Sequence, residues 1–293
     1  MDEFPPLERW FEVRRGVSDS YRYTRYDLRL LSNDGQDELS DELALLIARL
    51  RLRRNGYEEW LRYWGNPFPI PSEWKRRFKD RFWRGFVSDE ATKRAGDAIQ
   101  FDEVALRGYL GELMLYIVQT QYYELRIRAV PKTPKEYSKD SGIDCLELCG
   151  VAGDPDSLHY IVWESKSLTS DMLGNYPGKI YNQHLHQTPK SFAEMADQLA
   201  DIYTNDDVMG CFVDEMIDDF YSHPPSRKKC FGGCVSYSGQ RFARPDAFST
   251  FVDRFKDSLA EDSRCRQVRL CAIGDLSGIA HQVQRKIWNK LLP

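Results

Sequence analysis

In the tetrapeptide Trp163-Glu-Ser-Lys166, strand alternation puts Glu164 and Lys166 on one face and turns Trp163 and Ser165 to the other. The apolar run Tyr160-Ile-Val-Trp163 leads into them, so an acid and a base stand at the end of a strand expected to be buried, where uncompensated charge is expensive. A divalent cation is a natural compensation. Hard carboxylate oxygens bind Mg2+ and leave its remaining positions to water and a substrate phosphate. A second acid, Asp144 in Ser141-Gly-Ile-Asp-Cys-Leu, comes twenty residues earlier on the neighbouring strand of an expected hairpin. A third, Glu112, sits inside the apolar stretch Tyr109-Leu-Gly-Glu-Leu-Met-Leu-Tyr116, beside Gly111, which lets a helix backbone approach a sheet closely.

These residues need a helix and a hairpin to hold them. Apolar spacing predicts a long helix from Phe101 to about Tyr123, followed by a β-prone run, Leu125 to Val130, and a loop from Pro131 to Ser141. Ile143–Cys149 and Leu158–Glu164 flank the turn-rich Gly153-Asp-Pro-Asp-Ser and read as an antiparallel hairpin. Downstream, a helix is expected over Ser191–Thr204, strands over Lys229–Tyr237 and Gln267–Ile273, and a closing helix over Gly278–Leu291. Upstream, residues 1–97 carry helix-type spacing, with Ser40 as a candidate N-cap, a proline-rich break at Asn66–Ser72 and a second helix from near Ser72. The reading is a mixed α/β fold: an N-terminal, mainly helical region, 1–97, and a core domain, 98–293.

The order helix with Glu112, strand with Asp144, strand with Glu164-Ser-Lys166 resembles the PD-(D/E)xK nuclease superfamily, although the proline of the namesake Pro-Asp pair is absent. Gly111-Glu112, Ser141-Gly-Ile-Asp144, Trp163-Glu-Ser-Lys166 and the late unit Val268–Asp275 narrow the likeness to the HamA family, the nuclease subunits of Hachiman anti-phage systems. That resemblance implies a restriction-endonuclease-like mixed sheet flanked by helices. It implies that Asp144 and Glu164 ligate Mg2+ or Mn2+, helped by the Ser165 carbonyl, with Glu112 assisting the metal site and Lys166 orienting or activating the attacking water. It also implies DNA as substrate and a helicase partner that gates the activity. The chemistry would be metal-assisted phosphodiester hydrolysis without a covalent enzyme intermediate. Two other readings stand beside it: a non-catalytic scaffold subunit that binds a helicase or DNA, and a stand-alone restriction-type endonuclease.

Other segments invite chemistry with less support. Glu73-Trp-Lys75 also fits Glu-x-Lys, but lies in a basic helical segment with no β signal. That segment, Glu73–Phe86, holds six basic residues against two acidic with aromatics interleaved, so it suits either phosphate contact or an amphipathic helix with Trp and Phe inward. Lys132, Lys135 and Lys139, in the loop leading to Asp144, are the candidate nucleic-acid contacts. His184-Leu-His186 and Cys230-Phe-Gly-Gly-Cys234 lack zinc-finger spacing, and the cysteines read as buried strand thiols. Asp201–Phe220 carries seven acids and no base, a solvated helix face or a dock for a basic partner; it is expected to lie away from a DNA cleft, with autoinhibition the alternative.

Composition bounds all of this. The 293 residues are 42% hydrophobic and 13% aromatic, which excludes a disordered chain. Lys and Arg number 41 against 45 Asp and Glu, a net charge of −4, so any nucleic-acid site must be local. No stretch approaches the roughly 18 apolar residues that a membrane span requires. Seven scattered cysteines fit reduced thiols, and the acidic opening Met-Asp-Glu-Phe-Pro-Pro has no apolar core behind it, so an unprocessed, cytoplasmic chain is expected.

Overall fold

The computed structural model describes residues 5–17, 22–52, 54–86, 103–121, 126–131, 143–150, 154–168, 189–221, 229–239 and 266–291. In chain order the elements are α1 (Leu7–Trp10), β1 (Phe11–Val17), β2 (Arg22–Leu28), α2 (Asn33–Arg51), α3 (Arg54–Trp64), α4 (Ser72–Phe86), α5 (Glu103–Gln121), β3 (Arg126–Pro131), β4 (Cys145–Cys149), β5 (His159–Leu168), α6 (Pro189–Tyr203), α7 (Asp207–Tyr221), β6 (Lys229–Tyr237), β7 (Arg266–Ala272) and α8 (Leu276–Leu291). The strands form one mixed sheet of seven in the order β1-β2-β7-β6-β5-β4-β3. β3, β4 and β5 are an antiparallel meander; β5, β6, β7 and β2 run parallel; β1 returns antiparallel on the edge.

The central strands are buried on both faces, and strand alternation sorts their side chains between two cores. Cys145, Ile161, Trp163, Cys230, Cys234 and Cys271 pack with α2, α5 and α8. Leu146, Leu148, Tyr160 and Val162 pack on the other face with Phe192 and Met195 of α6 and Phe212 and Met216 of α7. The result is a three-layer mixed α/β fold. α5 is apolar nearly all round because it lies between the sheet and the outer helices, and Arg51 of α2 locks it from outside, its Nε donating to the Tyr109 hydroxyl at 3.1 Å.

Differences from the sequence expectation have local causes. α2 begins two turns earlier than Ser40: Ser32 is its N-cap, accepting the Gly35 N–H at 3.2 Å. Ser40 is instead buried inside the helix, where its hydroxyl donates to Gln282 of α8 at 3.0 Å. The mainly helical N-terminal region also contributes the β1–β2 hairpin, and β2 pairs with β7, so the regions before and after residue 97 share one sheet. β5 runs on to Leu168, so Glu164 and Lys166 lie within the strand rather than past its end. Between β4 and β5 the chain turns through Gly150 at φ +136°, where a Cβ would come 2.8 Å from the Ser157 carbonyl oxygen.

Candidate functional site

The site is built where β4 begins and β5 continues beyond it. Pairing starts at Cys145 opposite Trp163, and Asp144 is the residue just before that ladder, next to the stretch of β5 that carries Glu164 and Ser165. The peptide groups of Ser165 therefore extend past the ladder, and side chains meet them. Asp144 Oδ2 accepts the Ser165 N–H at 2.7 Å, and Lys166 Nζ donates to the Ser165 carbonyl at 2.9 Å. Asp144 is held in turn by its own N–H, which donates to the Trp163 carbonyl at 3.1 Å.

Glu164 is buried, whereas the Lys166 side chain keeps 22% of its surface, and the two charges stand 3.9 Å apart. That separation is a loose ion pair rather than a closed contact. One carboxylate and an amine thus bond to the backbone of Ser165, and a second buried carboxylate stands beside the amine, which is nearest to solvent. The structure brings Asp144, Glu164, Ser165 and Lys166 together as the sequence pattern anticipates.

Glu112 is not brought to these residues: α5 carries it against the other face of β5. A Cβ on Gly111 would lie 3.1 Å from Ser167 Cβ and 3.7 Å from Ser165 Oγ, so the glycine does allow α5 to press onto β5. The contact is on the Ser165/Ser167 face, and α5 crosses the strand on the side away from Glu164 and Lys166. Glu112 follows Gly111 and is half-buried. Among the described residues no group of three or more His, Cys, Asp or Glu gathers as a metal site.

Behind the site lies a polar assembly that residue patterning missed. Trp163 extends over Gly232 of β6, where an added Cβ would fall 2.3 Å from the indole, and reaches the buried Arg269 of β7, whose guanidinium carbon stands 4.9 Å from the ring centre. Its Nε1 donates to Glu147 Oε2 at 2.7 Å. Gln119 of α5 fits the same cluster once its amide is turned, donating to Glu147 and accepting from Trp163. Glu147 alternates with Leu146 and Leu148, which reads as a solvent-facing acid; α5 covers it instead. The available signal was the indole N–H, which needs an acceptor when buried.

Remaining candidates fall as follows. Lys132, Lys135 and Lys139, and likewise His184 and His186, lie outside the described residues. Cys230 and Cys234 are buried in β6 as expected. A hydrogen bond with Cys271, and then burial, push the Cys234 thiol well above the usual range, which disfavours a thiolate metal ligand. The acidic α7 packs on the same sheet face as Glu164: the Tyr160 hydroxyl donates to Asp219 Oδ2 at 2.6 Å, four residues or about 13 Å along β5 from Glu164. Glu73 of the second Glu-x-Lys triplet is in α4 and pairs with Arg77 at 2.8 Å.

Among the described residues no helix is long and apolar enough to cross a membrane. No family model matches the chain, and no curated protein matches it.

Proposed function

We propose that this chain is a metal-dependent DNA nuclease that hydrolyses phosphodiester bonds, the effector of a two-component anti-phage system gated by a helicase partner. The observation that carries the nuclease reading is that Asp144 and Lys166 both bond to the Ser165 backbone, with buried Glu164 3.9 Å from the Lys166 amine. The element order α5 with Glu112, then Asp144 at the start of β4, then β5 with Glu164-Ser-Lys166, agrees with the order that the family resemblance implies. The defence role and the helicase rest on that resemblance alone.

The donor set suits a hard cation. Mg2+ is commonly held by only one or two carboxylates, with water and substrate phosphate completing its shell, so Asp144, Glu164 and the Ser165 carbonyl would be enough without Glu112. When bound, the ion would polarise a phosphoryl oxygen and lower the pKa of a coordinated water. Asp144 keeps the Ser165 peptide fixed, so the donors need little reorganisation. Lys166, the most accessible of the group, offsets negative charge as it gathers on the phosphoryl oxygens or orients the attacking water.

A scaffold reading has one observation in its favour: Asp144 and Lys166 both bond to the Ser165 backbone, as residues that merely close a strand end would. The test is Mg2+- or Mn2+-dependent cleavage of linear, nicked and single-stranded DNA by wild type and by Glu164→Ala/Lys166→Ala, alone and with any helicase encoded beside it. Cleavage by wild type that the folded variant lacks supports the nuclease. Equal inactivity under every condition leaves the scaffold, and site-specific cutting without ATP or a partner marks a stand-alone endonuclease.

A further inference from the structure

The basic helix α4 is not consumed by the site or by the core. Phe78 and Phe82 are its inward anchors, both buried against Trp60 of α3, with ring centres 5.1 and 5.0 Å away. Packing therefore accounts for Phe78 and Phe82, and leaves Arg76 and Arg81 outside it. Arg76 and Arg81 are exposed, and Lys75 and Lys79 flank them half-buried. Arg77 is fixed differently, bonded to Glu73 and lying 5.1 Å from the Trp74 ring centre. Lys75, Arg76 and Lys79 occupy one flank at helical spacing, with exposed Asp80 one turn on from Arg76 at its border.

In a chain of net charge −4, the fifteen residues of α4 hold six basic and two acidic side chains, a local excess of four positive charges. The acidic counterpart, α7, packs across the sheet from the core to which α4 belongs. The turn into α4 adds a second kind of surface. Phe68, between Pro67 and Pro69, leaves 67% of its surface in solvent, and Leu61 of α3 leaves 39%. Prolines on both sides restrict the chain around that ring, so stacking there costs little additional ordering.

We propose that α4 and the Phe68 turn form a nucleic-acid docking surface, separate from the carboxylate site, that tracks a phosphate backbone with Lys75, Arg76 and Lys79 and stacks an unpaired base on Phe68. The proposal rests on the nuclease reading for its choice of partner. Arginines fit phosphate oxygens with two parallel N–H bonds. At 1.5 Å per residue, α4 is about 22 Å long, enough to follow several phosphates of one strand. Exposed aromatic rings beside such a track are how single strands are held without sequence preference.

Binding is measured on the full chain in EDTA, by anisotropy of labelled single-stranded and duplex oligonucleotides about 30 nucleotides long over roughly 50–200 mM salt. Without metal, the result is independent of cleavage. Lys75→Gln/Arg76→Gln/Lys79→Gln is expected to weaken both complexes at least tenfold at low salt and to lower the salt slope by about 3. Should the triple variant fail to fold, Arg76→Gln alone is expected to lower the slope by about 1. Phe68→Ala is expected to cost about fivefold or more for the single strand only. Wild type that binds neither probe, or an unchanged slope in folded variants, overturns the proposal; unchanged single-strand affinity in Phe68→Ala overturns its aromatic half. Loss of self-association in the triple variant with DNA binding intact also overturns it, by assigning α4 to the acidic helix of a second copy. Wild type that binds through α4 but never cuts with Mg2+, alone or with the helicase, refutes the nuclease reading and leaves the docking surface standing.

Discussion

Asp144 Oδ2 accepts the backbone N–H of Ser165 at 2.7 Å, so a carboxylate from the start of one strand completes the ladder of the next. This bond separates the two tasks of the residue. Asp144→Asn retains an oxygen acceptor and loses the charge, and is expected to unfold within about 1 kcal/mol of wild type while losing Mg2+-dependent cleavage. Asp144→Ala loses both and should be about 1.5–3 kcal/mol less stable than wild type, the range for a bond to a charged group. Denaturant unfolding and a plasmid-nicking assay read the two effects. An alanine variant as stable as wild type would deny the bond a structural role, and an active asparagine variant would remove Asp144 from the chemistry.

Gly232 is expected to tolerate no side chain. A Cβ there would fall 2.3 Å from the Trp163 indole, which is closed in by Arg269 and Glu147. Gly232→Ala should cost about 3 kcal/mol or more, at the upper end for overpacking, and move Trp163. Combining it with Trp163→Phe should restore part of the loss, which a double-mutant cycle would measure.

Tyr160 joins β5 to α7 through its bond to Asp219. Burial, and then that bond, push the phenol pKa far above its ordinary value. The folded value exceeds the unfolded one, so the stabilisation is fully present below about pH 10 and is lost only as pH rises above it. Tyr160→Phe should therefore cost about 1.5–3 kcal/mol, the same at pH 6 and pH 9. A penalty that changes across that interval would point to titration of another group.

Lys286 ties α8 to α2, with Nζ 2.8 Å from Asp37 Oδ1 and 2.7 Å from Asp41 Oδ1. Burial pushes its pKa down, but hydrogen bonds to the two carboxylates outweigh that and raise it. The contribution is complete below the ordinary lysine value and fades as pH climbs through the raised one. Both aspartates are exposed, so Lys286→Met should cost about 0.5–1 kcal/mol at neutral pH and less in high salt. Thermal melts at two salt concentrations would check this.

The carboxylate site was legible because strand alternation is local: once Tyr160–Trp163 reads as a strand, Glu164 and Lys166 must share a face. The hairpin that sets Asp144 next to the stretch of β5 carrying Glu164 and Ser165 was legible from its turn residues. The β1–β2 hairpin was not, since Glu12, Arg14, Arg15, Arg22 and Arg25 break its apolar pattern, and its partner β7 lies more than two hundred residues away. Glu147 and Arg269 were hidden for the opposite reason: a charged residue in an alternating strand reads as exposed, and only the helix layer above shows otherwise. Ser40 looked like a cap because it precedes the clearest apolar repeat, while Ser32 begins a polar first turn that periodicity does not detect.

The parallel pairing of β2 with β7 also sets a timetable for folding. Thr24 and Arg269, which hydrogen-bond across that pair, are separated by 245 residues, so a ribosome adding about 5–20 residues per second needs about 12–50 s to supply the second after the first. Throughout that interval the N-terminal hairpin has no place in the sheet. The carboxylate site, one strand beyond β6, can form its local hairpin early but gains its rigid support only when the last strand inserts between β2 and β6. The sheet thus closes in its middle, late in synthesis, and an interrupted chain would leave two unjoined halves.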